Sequence, residues 1–130
     1  MTRWPVTISL PHGFIVGGVT TWAVELAEGL AARGWPVRVV AHPPRQGYAL
    51  FTPEWHWPGA PQIVSAPALD TPESRWNALQ CYRALLPTIL LPNLEPESYA
   101  IAAALAAGHA DELRVLAWSH SDNPYDHALL

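Results

Sequence analysis

Residues 6–42 constrain this chain more than any other stretch. They read V-T-I-S-L-P-H-G-F-I-V-G-G-V-T-T-W-A-V-E-L-A-E-G-L-A-A-R-G-W-P-V-R-V-V-A-H. Val6, Ile8 and Leu10 make a short β-branched and apolar run that Pro11, His12 and Gly13 end. Apolar residues then recur at Val19, Trp22, Ala23, Leu26, Ala27, Leu30 and Ala31, the spacing of one buried helix face. Glu25, Glu28 and Arg33 fall elsewhere, and Arg33 suits the negative end of the helix dipole. Gly34 can take the left-handed conformation that stops a helix. Val37 to Ala41 forms the next strand. Two strands joined through an amphipathic helix make a βαβ unit, which requires parallel strands and a right-handed crossover.

The remainder continues the alternation. Gln62–Ser65 reads as a third short strand. Thr71 caps a helix with Pro72 in its first turn and Glu73 at the positive dipole end. That helix is expected to run to about Leu86, with Trp76, Leu79, Tyr82 and Leu86 as its apolar side. Pro87 stops it, and Thr88–Leu91 is a buried parallel strand with Pro92-Asn93-Leu94 as its exit. Glu95 to Ser98 opens an alanine-rich third helix that Gly108 ends. Leu113–Trp118 is a further strand, followed by Ser119-His120-Ser121-Asp122-Asn123-Pro124-Tyr125-Asp126-His127. The expected fold is therefore α/β, a Rossmann-like open parallel β-sheet with helices on both faces. Such sheets bind ligands beyond the carboxyl ends of their strands. Three exit loops follow: His12 to Gly18, Pro92-Asn93, and Ser119 to Asp126.

Composition narrows the partners. At 130 residues one domain is expected. Charged residues make up only 14 %, which suggests a surface that has lost a partner. Seven scattered basic residues and a formal charge of −4 argue against nucleic acid. Cys81 alone excludes an internal disulfide framework and fits a reducing compartment. The first residues lack a basic region followed by a long apolar run, so no signal peptide is expected, and no apolar stretch approaches the ~20 residues needed to span a bilayer. A cytoplasmic location is expected, with attachment to the periphery of the inner membrane as its variant. Pro43 to Pro61 is rich in proline and aromatics, with Tyr48, Phe51, Trp55 and Trp57. Either those rings fold onto the domain or they form a rim that stacks on a ligand such as a sugar ring.

Three constellations bear on chemistry. Gly17 and Gly18 at a helix start let a ligand approach free backbone N–H groups, a setting that attracts phosphate. With Gly13 they do not make G-x-G-x-x-G, and Ala41-His42-Pro43 lacks the acid that holds an adenosine ribose, which disfavours a nicotinamide dehydrogenase. The alternative is that the glycines only make a tight turn. His120, flanked by Ser119 and Asp122, follows an apolar strand and can donate to a hydroxyl or phosphate; capping or core-edge packing is its alternative. A metal reading would join His120, Asp122, Asp126 and His127, but that spacing matches no metal signature. His12 lies in the first exit loop, whereas His42, His56 and His109 are expected at the surface. Nothing supports a covalent nucleophile: no G-x-S-x-G occurs and Cys81 lies mid-helix.

The run Gly17 to Gly34 followed by Val37-Arg38-Val39-Val40 resembles the start of GT-B glycosyltransferases of the large retaining group that includes sucrose and glycogen synthases. Members begin with a strand, G-G-hydrophobic, then L-A-x-x-L-x-x-R-G-H-x-V-x-V; here Trp35 replaces the frequent His. The resemblance covers the first 42 residues, and the rest only by order of elements. It implies transfer of a sugar from a nucleotide-sugar donor to a sugar or lipid acceptor, with retention and no further cofactor. Gly17 and Gly18 would lie beside the donor diphosphate, and His120 would act at the transferred sugar or its phosphate. Asn93 would line the same crevice, and His12, Ser119 and Asp122, from their places in the exit loops, are further crevice or acceptor candidates. It also implies a carboxy-terminal donor-binding domain with an E-x7-E glutamate pair. Residues 1–130 are thus expected to be a truncated amino-terminal domain without turnover alone. The competing expectations are a non-catalytic Rossmann- or flavodoxin-like module binding nucleotide or phospho-sugar, and a small hydrolase or metal enzyme using His120 to His127.

Overall fold

A computed structural model describes residues 3–54, 61–93 and 96–117. Its elements are β1 (Val6–Leu10), α1 (Gly18–Ala32), β2 (Val37–Ala41), β3 (Gln62–Ser65), α2 (Pro72–Arg83), β4 (Thr88–Leu91), α3 (Pro96–His109) and β5 (Leu113–Val115), with a 3-10 turn at Ala110–Glu112 before β5. The five strands form one sheet in the order β3-β2-β1-β4-β5. Every pairing is parallel. This is an α/β, Rossmann-like open sheet. Strand order reverses between β1 and β4, so the crevice beyond their carboxyl ends is the switch point.

The period-2 rule sorts the side chains of β1. Val6, Ile8 and Leu10 pack with Ala23 and Ala27 of α1 and with Val37, Val39 and Leu91. Thr7 and Ser9 face the opposite side, which belongs to α2 and α3. There Val40 and Leu90 join Ala78, Leu79 and Tyr82 from α2 and Ile101, Ala102 and Leu105 from α3. Burying Thr7 and Ser9 requires partners. Thr7 bonds Thr88 at 2.7 Å and Ser9 bonds Tyr82 at 2.8 Å.

Several boundaries differ from the sequence reading. In α1 the fully buried positions are Thr20, Ala23, Val24 and Ala27, while Val19, Trp22, Leu26 and Leu30 are half-buried at the flanks. Small residues at the centre let the helix approach the sheet, which leaves the larger ones outside the contact line. The predicted end holds: Gly34 sits at φ 85°, its N–H donates to Ala31 O, and Arg33 Nη1 donates to Gly29 O. α2 begins at the Thr71 cap as expected but ends at Arg83. The N–H groups of Leu85 and Leu86 turn back to Tyr82 and Arg83, three residues away, as the chain leaves the helix before Pro87. Its buried stripe is Ala78, Leu79 and Tyr82, so Trp76 is a correction. It is 57 % exposed and lies under the Arg83 guanidinium at 5.5 Å. His42, expected at the surface, is 2 % exposed, because its ring is bonded between the Pro67 carbonyl after β3 and the Tyr82 hydroxyl of α2.

Candidate functional site

The loop after β1 is built around Gly13, at φ 69°. A Cβ there would stand 2.4 Å from His42 O and 2.9 Å from Pro44 N. The loop is therefore clamped against the β2 exit. Further contacts extend the clamp. Arg45 N donates to His12 O at 3.0 Å, Val16 N to Ala49 O at 2.8 Å and Phe51 N to Phe14 O at 3.0 Å. Ile15 and Leu50 form an antiparallel bridge. Residues 45–51 of the proline-rich segment thus fold against the glycine loop, and Phe51 is half-buried. Trp55 and Trp57 lie outside the described residues.

Gly17 and Gly18 differ from Gly13. Gly17 is extended, at φ 168°, a conformation open to any residue. A Cβ on either would meet nothing within 4 Å. The chain's own packing does not require glycine at these two positions. Gly17 is the N-cap of α1 and supplies no side-chain cap, and no acidic residue stands in the first turn. The positive end of the helix dipole is thus left to whatever occupies the space in front of it.

That space is a cavity of about 280 Å³. Its walls include His12, Gly17, Gly18, Thr20, Arg45 and Tyr48. The Arg45 guanidinium lies over the Tyr48 ring at 5.6 Å, and Tyr48 is half exposed. A second cavity of about 590 Å³ adjoins it and shares Pro11, His12 and Arg45. Its remaining polar walls are Gln46, Asp70 and Glu97. One basin accordingly offers backbone N–H groups and a guanidinium to an anion. The other sets two carboxylates and an amide among prolines.

The structure unites His12, Gly17 and Gly18 around the first basin. Asn93 lies deeper: it is fully buried and donates from Nδ2 to Ser9 O at 3.1 Å, tying the β4 exit to β1. Ser119, His120 and Asp122 lie outside the described residues, as do Asp126, His127 and His56. Arg45, Asp70 and Glu97 are new to the site. Asp70 and Glu97 look like helix openers in the sequence, and Arg45 lies in a stretch without periodicity. Among the described residues no cluster of His, Cys, Asp and Glu could hold a metal ion, and no helix is long and apolar enough to cross a membrane.

A buried polar chain joins the exits of β2 and β3 to α2 and β1. His42 Nδ1 lies 2.6 Å from Pro67 O and Nε2 lies 2.8 Å from the Tyr82 hydroxyl, which in turn meets Ser9 Oγ. Burial lowers the His42 pKa, opposed by the bond to Pro67. Burial pushes the Tyr82 pKa up, only partly offset by Ser9, so the phenol stays protonated.

Comparison with protein-family models, curated proteins and solved structures finds no match for this chain.

Proposed function

We propose that this chain is the amino-terminal, acceptor-side half of a retaining GT-B glycosyltransferase. In that reading a nucleotide-sugar diphosphate sits against Gly17 and Gly18. The observation that carries the reading is the uncapped amino end of α1 opening on a cavity lined by Arg45. Free N–H groups, the helix dipole and a guanidinium together favour a diphosphate. The neighbouring basin supports an acceptor role. Carboxylates and an amide accept and donate to hydroxyls, while Pro11, Pro43 and Pro44 offer an apolar floor to the C–H face of a ring. His12 and Arg45 stand between the two basins, where a sugar would pass from donor to acceptor. Preorganised charge at the leaving diphosphate would do most of the catalytic work, completed by the other half of the enzyme.

The test is a titration with pyrophosphate and with nucleotide sugars, followed by amide chemical shifts. The expected result is a response at 17–20 and at Arg45. Gly18→Val is informative because a Cβ there meets nothing. Its stability is expected to stay within about 0.5 kcal/mol of the parent, while binding weakens at least ten-fold. Unchanged binding would remove the phosphate from this loop. Tight binding of a nucleotide by this chain unaided would favour the non-catalytic module.

A further inference from the structure

We propose that His42 is a buried latch whose protonation releases the two loops, 43–46 and 67–70, that wall the larger basin, and with them Arg45, which also lines the smaller one. The loops converge on this residue. Its carbonyl oxygen abuts Gly13, and its N–H donates to Leu10 O at 3.2 Å. Its ring joins Pro67 O to Tyr82. Pro43 to Gln46 continue from it, and Ala68 to Asp70 continue from Pro67, and both stretches line the larger cavity.

The hydrogen bonds have one consistent direction. A carbonyl only accepts, so Nδ1 carries the proton toward Pro67. Nε2 then accepts from Tyr82, and Tyr82 accepts from Ser9. Asn93 holds the Ser9 carbonyl from below. The whole arrangement specifies a neutral imidazole. Once protonated, both ring nitrogens donate, Tyr82 must turn its hydrogen to Ser9, and Ser9 needs a new acceptor.

The charge itself is the larger problem. Among the described residues, α2 presents Tyr82 to the ring, β1 reaches it through Ser9, and the β3 exit presents the Pro67 carbonyl. α3 contributes the apolar Ile101, Ala102 and Leu105 to the core around Tyr82. No carboxylate contributes to the His42 shift. His12 and Glu97 line the larger cavity together with Arg45 and Asp70, which the two loops themselves carry. A buried imidazolium without a counter-charge is costly and regains solvation only by reaching water. Here it reaches water by displacing the loops above it. The resulting pH dependence has the opposite sign to that of a histidine open to the cavity, which draws an anion more strongly as pH falls.

An NMR titration of the 130-residue chain from pH 8 downward tests the latch. The His42 ring is expected to titrate below the ordinary 6.5. The amides of Arg45, Gln46, Ala68, Leu69 and Asp70 should move with the same midpoint, while Ala23 to Ala27 in α1 stay still. Pyrophosphate affinity, which rests on the anion site proposed above, should then fall up to ten-fold per pH unit below that midpoint. Tyr82→Phe removes the donor to Nε2 and should raise the midpoint toward 6.5, with the loop amides following. His42→Gln keeps an acceptor for Tyr82 and should abolish the loop response. Loop amides that ignore the His42 titration would overturn the proposal. So would a ring that stays neutral until every amide is lost together. Failure of pyrophosphate to bind at any pH would count against the anion site alone, because the amide titration reads the latch without ligand.

Discussion

At the scale of single residues, the three glycines of the first loop divide by what surrounds them. Gly13 is held at positive φ with backbone atoms where a side chain would go. Gly13→Ala is therefore expected to cost about 1–3 kcal/mol in a denaturant titration, because it must shift either the loop or the β2 exit. Gly17 and Gly18 face open space, so only a ligand would register a side chain there. His42 supplies a second residue-scale expectation. Its folded pKa lies below the 6.5 of the unfolded chain. Above 6.5 neither state is protonated and nothing is lost. As pH falls between 6.5 and the folded value, the unfolded chain takes up a proton that the native one refuses. Stability then falls by up to about 1.4 kcal/mol per pH unit from this group. Urea midpoints measured at several pH values check it: His42→Gln should flatten the decline.

At the scale of elements, α2 shows how local and tertiary signals separate. Thr71 accepts from Ser74 N at 3.1 Å, and Ser74 Oγ accepts from Thr71 N at 3.3 Å, a reciprocal cap. Thr71→Ala should cost about 1 kcal/mol, with circular dichroism showing a frayed first turn and urea titration giving the magnitude. The start of α2 was legible because capping depends on a few consecutive residues. Its buried face was not. Trp76 and Tyr82 are both aromatic, yet only Tyr82 finds polar partners, His42 and Ser9, beneath the helix. A hydroxyl that needs burial with company, set against a ring that can stack under Arg83 in water, decides which one turns inward.

At the scale of the whole molecule, β1 is the centre: it pairs with β2 and β4, its apolar side chains join one core, and Thr7 and Ser9 bond Thr88 and Tyr82 on the other face. β3 and β5 are edges, and Ile63 and Val115 remain 44 % and 41 % exposed. Hydrogen exchange should therefore protect β1, β2 and β4 most, with β3 and β5 opening first; equal protection across the sheet would contradict a single hierarchical core. Hydrophobic periodicity, caps and glycine stops already determined the parallel α/β class, the order of elements and the glycine loop, because each depends on neighbours within a few positions. Contacts among distant residues decided the rest. Leu50 bridging Ile15, Arg45 reaching the cavity at α1, and His42 meeting Pro67 and Tyr82 join residues 25 to 40 positions apart. No local pattern encodes such meetings; they exist only once parallel pairing has brought the carboxyl ends of β1, β2 and β3 to one edge.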